Sequence, residues 1–393
     1  MSFMDTLKAQ RHNVRDFGMY FAFVVIVVFF TIATDGLFLT SRNIGNLVNA
    51  TSYIAVLAVG MTLVIVIRHI DLSVGYLAGT LGAVAAISLK YWELPVIPTW
   101  LIVLALGIVG GLLTGFLVAQ MRIPAFVATL AGWLFYQGLL QWVTRGTGTI
   151  IIDNDVFNAL GNGFIPDIPG LSFLPEVHKI TLLLGLLAIV AFVFSEVTNR
   201  RKTQSYNFEV LPVNLFILKL AFISVVIAGI TWIFAGYQGL SWAAVILILV
   251  VLAYSYITSK TVVGRHISAV GGNPEAAQLN GISVKRITFL VFGSMGLLTA
   301  VSGILYASWL RSATTIAGRG MELDAIAAAF VGGAAVSGGV GRVTGSILGA
   351  LVMASLTNGM NLMGADISVQ YMVRAFVLAG AVIFDVATRK KTS

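Results

Sequence analysis

The sequence predicts an all-α fold, a polytopic bundle of transmembrane helices, and three observations carry that prediction. Hydrophobic residues fill 58% of the 393 positions, charged residues only 10%, and the mean hydropathy is +0.95, far from the composition of soluble domains. Apolar runs of about the ~20 residues that cross ~30 Å of hydrocarbon recur along most of the chain. Runs such as FAFVVIVVFF (21–30) and AAVILILVVLA (243–253) are apolar on every face, whereas a membrane strand alternates at period two.

Taken in order, the first run at 17–34 is too long for a signal h-region and lacks a small-residue cleavage site, so it reads as a retained span. Spans follow at 47–67, 73–88, 100–119, 125–143 and 180–197, then at 213–235, 241–258, 287–308, 322–338, 343–362 and 370–388. The tenth of these twelve is short and broken by Gly332 and Gly333. It suits a re-entrant or discontinuous helix, which puts the expected number of crossings between 10 and 12.

Lys and Arg gather in the cytoplasmic loops of such bundles. With the N-terminus placed inside, the inner set holds Lys8, Arg11, Arg15, Arg68, Arg122, Arg200, Arg201, Lys202, Lys219, Lys260, Arg265, Lys285, Arg286, Arg342, Arg389, Lys390 and Lys391. The outer set holds Arg42, Lys90, Arg145, Lys179, Arg311, Arg319 and Arg374, a split of 17 against 7 among 24 basic residues. Both termini are therefore expected in the cytoplasm. Orientation accounts for the net charge of +8, so that charge is no argument for nucleic-acid binding.

Residues 1–393 read as a single transmembrane domain with three notable loops: an external one at 144–179, a basic cytoplasmic one at 198–212 and a longer cytoplasmic one at 259–286. The external loop is rich in Gly, Pro, Asn and Asp, which suits a folded cap or docking surface, or a plain connector. Catalytic chemistry finds little footing. There is no cysteine, and His12, His69, His178 and His266 are scattered without a partner at ligand spacing, so neither a thiol nucleophile nor a metal site is expected. No glycine is followed directly by lysine, so the phosphate-loop pattern is absent and any nucleotide hydrolysis belongs to another chain.

The 259–286 loop contains GGNPEAAQLNGISVKR (271–286), a polar interlude between two greasy runs. Asn273 can cap a helix whose first position is Pro274, and Glu275 sits where the helix dipole favours negative charge. Gly281 supplies the stop. The result is a helix of ~10 Å at ~1.5 Å per residue, too short to span and flanked by basic residues, so it lies beside the membrane on the inner face. Ala276 and Ala277 leave a smooth surface that another protein's groove can approach. With only Leu279 and Ile282 as bulky apolar groups it is a poor lipid anchor, so a protein partner competes with the plainer reading of a tie between two spans.

GRHISAVGGNPEAAQLNGISVKR resembles the cytoplasmic coupling segment of the ribose, xylose and multiple-monosaccharide permeases of bacterial ABC importers. IDLSVG (70–75), IPAFVATLAGW (123–133), ELDAIAAAFVGG (322–333), SGGVGRVTGSILGA (337–350) and ASLTNGMNLMG (354–364) extend the resemblance in order along nearly the whole chain. The apolar block with its basic loop at 180–235 is similar to the longer xylose and multiple-sugar members. The resemblance implies an inner-membrane permease that pairs with a second copy of itself and binds no cofactor of its own. ATP and Mg would sit on a separate cytoplasmic ATPase, and a periplasmic or lipid-anchored binding protein would deliver the sugar. Asn273, Pro274, Glu275, Ala276, Ala277, Leu279 and Gly281 would form the coupling helix seated in the ATPase.

Several other residues carry expectations. Gly75 and Gly79 on the third run, and Gly341 and Gly345 on the eleventh, stand four apart and suit close helix packing; their equivalent placement hints at a parallel internal duplication. Asp71 fits a cap on Ser73 or an ion pair with Arg68, with an ion-coupling site as the rival that would make the chain a secondary transporter. Glu322 and Asp324 suit capping of the tenth segment. A path for a neutral sugar needs hydrogen-bonding side chains rather than charge. Asn49, Thr51, Ser52, Thr114, Gln137, Gln141, Thr357, Asn358 and Asn361 are the candidates within spans, each equally able to bond a neighbouring helix.

Overall fold

The computed structural model describes residues 14–169, 177–208 and 210–389. Lys8, Arg11, His12, Lys390, Lys391 and the 170–176 part of the external loop lie outside the described residues. A helix occupies each of the twelve apolar runs: α1 (Val14–Ala33), α2 (Ser41–Val66), α3 (Val74–Lys90), α4 (Val96–Ala119), α5 (Ala125–Thr144), α7 (Lys179–Ser205), α8 (Val213–Ala235), α9 (Trp242–Lys260), α12 (Val284–Leu310), α13 (Met321–Val331), α14 (Val343–Leu362) and α15 (Ile367–Arg389). Shorter helices α6 (Asp155–Asn162), α10 (Val262–Gly272) and α11 (Pro274–Leu279) lie in the loops, with strands β1 (Thr149–Ile151) and β2 (Ser312–Thr314). Seven of these helices are long and apolar enough to cross a membrane, and the architecture is that of a polytopic helical membrane protein.

Helices α2 and α12 form the centre, with 78% and 72% of their most apolar windows buried, while α7 and α8 bury 11% and 6% and leave apolar faces outward on the periphery. Lipid is as apolar as leucine, so helices associate here through close packing rather than hydrophobic burial. The α4–α12 seam shows how. A Cβ on Gly107 would lie 2.6 Å from the Gly296 carbonyl oxygen, and one on Gly296 would lie 2.7 Å from the Gly111 backbone, so the two backbones touch only because no side chain intervenes.

The glycine pairs of the sequence pack differently from expectation. Gly75 and Gly79 do face a close neighbour: Gly79 lies against the non-helical turn at Ala317, and Gly75 against the Gly318 carbonyl and the Glu322 side chain in the first turn of α13. Gly341 precedes α14 and lies against Val66 and Thr62. The helical pair is instead Gly345 and Gly349, which meet Gly332 and Ala328 at the end of α13. The two predicted pairs are thus not equivalent, because only one of them sits wholly on a helix.

Helix α13 covers 11 residues, ~16 Å at 1.5 Å per residue, well short of the 322–338 span. Gly318 and Gly320 precede it at φ +82° each, and Gly333, Gly338 and Gly339 follow it at +77° to +88°. Those left-handed positions are open to glycine at no steric cost, so the tenth run is a half-length helix between irregular segments, the discontinuous form expected.

The described first part of the external loop, 144–169, carries regular structure. Strand β1 pairs antiparallel with β2 in the register Thr149↔Thr314, Ile150↔Ala313 and Ile151↔Ser312. Asn154 caps α6 by accepting from the Phe157 amide at 2.9 Å. The Gly161 amide then donates to Ser308 Oγ at 2.7 Å, and Asn162 Nδ2 donates to the Ser308 carbonyl at 2.8 Å. These bonds dock α6 on the C-terminal end of α12.

Candidate functional site

A polar cavity of about 700 Å³ lies between the N-terminal half of α2, the C-terminal parts of α12 and α14, and the first turns of α15. Asn49, Thr51, Thr357, Asn358 and Asn361, all selected from the sequence, line it together with Asn46, Tyr53, Trp309 and Arg311. Their convergence follows from periodicity: Asn46, Asn49 and Tyr53 are three to four residues apart on α2, and Asn361 stands three and four residues after Asn358 and Thr357 on α14.

Asn358 and Asn43 exchange side-chain amide hydrogen bonds at 2.9 and 3.1 Å, and Gln370 Nε2 donates to Asn361 Oδ1 at 2.7 Å. Those two residues therefore tie helices together as well as line the cavity. Asn49 is different: it is 6% exposed and its Oδ1 is buried without a hydrogen-bond partner, which leaves unmet bonding capacity at the wall. The Trp309 and Tyr53 rings lie with centroids 5.7 Å apart and planes tilted by 39°, an apolar surface suited to the C–H face of a sugar.

The other candidates lie elsewhere. Ser52 is fully buried and bonds the Val48 carbonyl at 2.6 Å. Gln137 donates to the Tyr76 hydroxyl at 3.2 Å, and Thr114 to the Gly110 carbonyl at 3.3 Å. Gln141 is exposed on the outer side of α5. None of these four lines the cavity.

Charged residues sequence reasoning had set aside do reach it. Arg374, placed above in an outer loop, lies inside α15 and forms an ion pair with Asp324 of α13 at the cavity wall. Both carboxylates stand in the first turn of α13 as expected, and each also reaches a second helix: Asp324 pairs with Arg374, and Glu322 accepts from Trp133 Nε1 at 3.1 Å. Asp71 is 2% exposed and accepts from the Ser73 amide at 2.9 Å and its hydroxyl at 2.6 Å. Of the two local readings the Ser73 cap holds, and Arg68 turns elsewhere. The signal for Arg374 and Asp324 was present only as two charges inside apolar runs, with nothing to pair them.

At the opposite ends of α2 and α12 lies the short polar helix. Helix α11 spans Pro274–Leu279 and is capped as expected, Asn273 Oδ1 accepting from the Ala276 amide at 3.0 Å. Gly281 follows at φ +81°. Ala277 is 5% exposed and faces the protein body, so it does not contribute to a smooth outer surface. Glu275, Ala276 and Gln278 are exposed, and Leu279 is 89% exposed. Helix α10, unanticipated in the same loop, is capped by Thr261 Oγ1 accepting from the Gly264 amide at 3.3 Å; the T-x-x-G start was its only local mark.

The architecture is that of a multi-pass helical membrane protein with a polar cavity at one end and a capped, exposed helix at the other, and comparison with known proteins makes it a permease of the inner membrane, a transport subunit rather than an enzyme. The family described as branched-chain amino acid transport system/permease component matches residues 43–382, and the chain belongs to that family. It is 37% identical over 384 residues to the xylose transport system permease protein XylH of Haemophilus influenzae, covering 98% of this chain and 99% of that one. XylH of Escherichia coli K12 is 36% identical over 97% of this chain and 94% of its own length. The ribose import permease protein RbsC of H. influenzae is 32% identical over 93% and 92%. No solved structure matches.

Proposed function

We propose that this chain is the transmembrane permease subunit of an ATP-driven ABC importer that carries a monosaccharide, xylose or a group of aldoses, into the cytoplasm by alternating access. The observation that carries the reading is that the polar cavity and the exposed helix α11 sit at opposite ends of the same two helices, α2 and α12, so one end can take up solute while the other is worked by a motor. Full-length similarity to xylose and ribose permeases supports the substrate class. In this reading both termini are cytoplasmic, α13 is the discontinuous crossing, and the 144–179 loop faces the binding protein. A second copy of the chain completes the permease.

The face formed by Glu275, Ala276, Gln278 and Leu279 enters the ATPase, which carries ATP and Mg, while Asn273, Pro274 and Gly281 fix its ends. Nucleotide binding drives the cycle only in so far as the ATPase grips one permease state more tightly than the other. Asn49, Thr357 and their neighbours hydrogen-bond hydroxyls, weakly enough to release them. An ion-coupled carrier built on Asp71 fits less well, since that carboxylate is sealed on Ser73. The test is uptake of labelled xylose in cells expressing the full system. ATP depletion abolishes uptake and an ionophore leaves it standing; the reverse pattern refutes the proposal. Competition by unlabelled ribose, inositol or a nucleoside identifies the solute class.

A further inference from the structure

Between the coupling helix and the cavity there must be a mechanical link, and the inner end of α2 supplies a candidate. Arg68, two residues past that helix, adopts φ +67°, a left-handed conformation that a residue with a side chain enters only when neighbours hold it. Its Nε donates to the Gly271 carbonyl at 2.6 Å, and a second guanidinium nitrogen donates to the Gly272 carbonyl. These are the last two carbonyls of α10, immediately before Asn273 begins α11. A planar cation on the C-terminal carbonyls of a helix is a strong, dipole-favoured arrangement.

A third strand of chain joins the same point. The Gly339 amide donates to the Val66 carbonyl at 2.8 Å, which binds the turn before α14 to the end of α2. No side chain could be interposed: a Cβ on Gly271 would lie 2.6 Å from the Gly339 nitrogen, and one on Gly339 would lie 2.9 Å from the Gly272 Cα. A Cβ on Gly338 would overlap the Arg68 side chain itself. Helices α2 and α14, which start or end here, are the two that carry Asn49 and Thr357 to the cavity wall at their far ends.

We infer that Arg68 is a positioning residue that makes the root of the coupling helix, the inner end of α2 and the 338–341 turn move as one body, delivering motion of α11 to the cavity wall. Its guanidinium clamps two adjacent carbonyls at once, so the α10–α11 junction cannot tilt without turning the end of α2. The Gly339 bond then passes that rotation to α14. This inference rests on the reading of α11 as the ATPase contact.

The experiment uses the assembled transporter in proteoliposomes with its ATPase and binding protein, and reads sugar imported per ATP hydrolysed together with the thermal midpoint of the permease. Arg68→Ala lowers the ratio about tenfold, the scale of one charge-assisted hydrogen bond, while ATP hydrolysis and the midpoint stay at parental values; Arg68→Lys, which keeps one bond but not the fork, gives an intermediate ratio. Gly338→Ala displaces the same side chain from another element and reproduces the loss, so it decides the matter where Arg68→Ala is poorly inserted. Leu279→Ser serves as the marker of the underlying reading. A parental ratio in the Arg68 and Gly338 variants with a collapsed ratio in Leu279→Ser overturns the linkage alone. A parental ratio in all of them overturns the ATPase contact and the linkage with it. A lowered midpoint in step with a lowered ratio, without partial rescue by Arg68→Lys, reduces Arg68 to a structural cap and also overturns the inference.

Discussion

Asn49 carries the clearest residue-scale consequence, because its carbonyl oxygen is buried without a partner at the cavity wall. Replacing it with Ala removes a bonding group that the fold itself does not use. The expected effect is a loss of sugar uptake of up to about tenfold, the range of one hydrogen bond of ~0.5–1.5 kcal/mol, with normal membrane insertion; unchanged uptake at limiting sugar would remove Asn49 from the path. Asn358 and Asn361 behave otherwise, since their bonds to Asn43 and Gln370 hold α2 to α14 and α14 to α15, and their Ala variants lose thermal stability as well as transport. Gly79→Ala sets a methyl onto the Ala317 carbonyl and is expected to cost ~1–3 kcal/mol, read as a lower unfolding temperature in detergent. The chemistry of these residues was visible in the sequence as polar groups inside apolar runs. Which of them face a cavity was not, because Gln137 and Asn49 look alike until the helices are packed.

Individual elements were legible to different degrees. Helix α11 announced itself through Asn273, Pro274 and Gly281, since capping is a local matter decided by a few adjacent residues. Strands β1 and β2 did not, being three residues each and paired at their centre across 163 positions (313 less 150), a contact no local pattern encodes. The start of α7 shows local and distant chemistry together. Asp167 accepts the Lys179 and Ile180 amides at 3.0 and 3.1 Å, and its second oxygen lies 3.4 Å from Lys179 Nζ. Desolvation works against the carboxylate, but the amide bonds and the nearby His178 outweigh it and hold its pKa below the usual carboxylate range. A group whose folded pKa is depressed contributes stability above its unfolded pKa of ~3.9 and loses it as pH falls toward the folded value. Asp167→Asn should therefore unfold at a lower temperature than the parent at pH 7, and the gap should close between about pH 4 and the acid limit. A gap independent of pH would show that the charge plays no part.

At the scale of the whole molecule, hydropathy located the helices that occupy the twelve apolar runs among the described residues, because the bilayer imposes length and polarity on each crossing independently. The half-length α13 was flagged by its glycines, yet its partners, Gly345 and Gly349 on α14, emerged only from the packing. The same bundle places uptake and drive at opposite ends, and that separation is the central claim. The chain contains no cysteine, so Leu279→Cys introduces a single thiol at the exposed tip of α11. The decisive measurement is its labelling by a membrane-impermeant thiol reagent in intact cells and in inverted vesicles, with and without the ATPase subunit. The account predicts labelling in inverted vesicles only, and protection once the ATPase is bound. Labelling from outside intact cells, or labelling that the ATPase leaves unchanged, would contradict it.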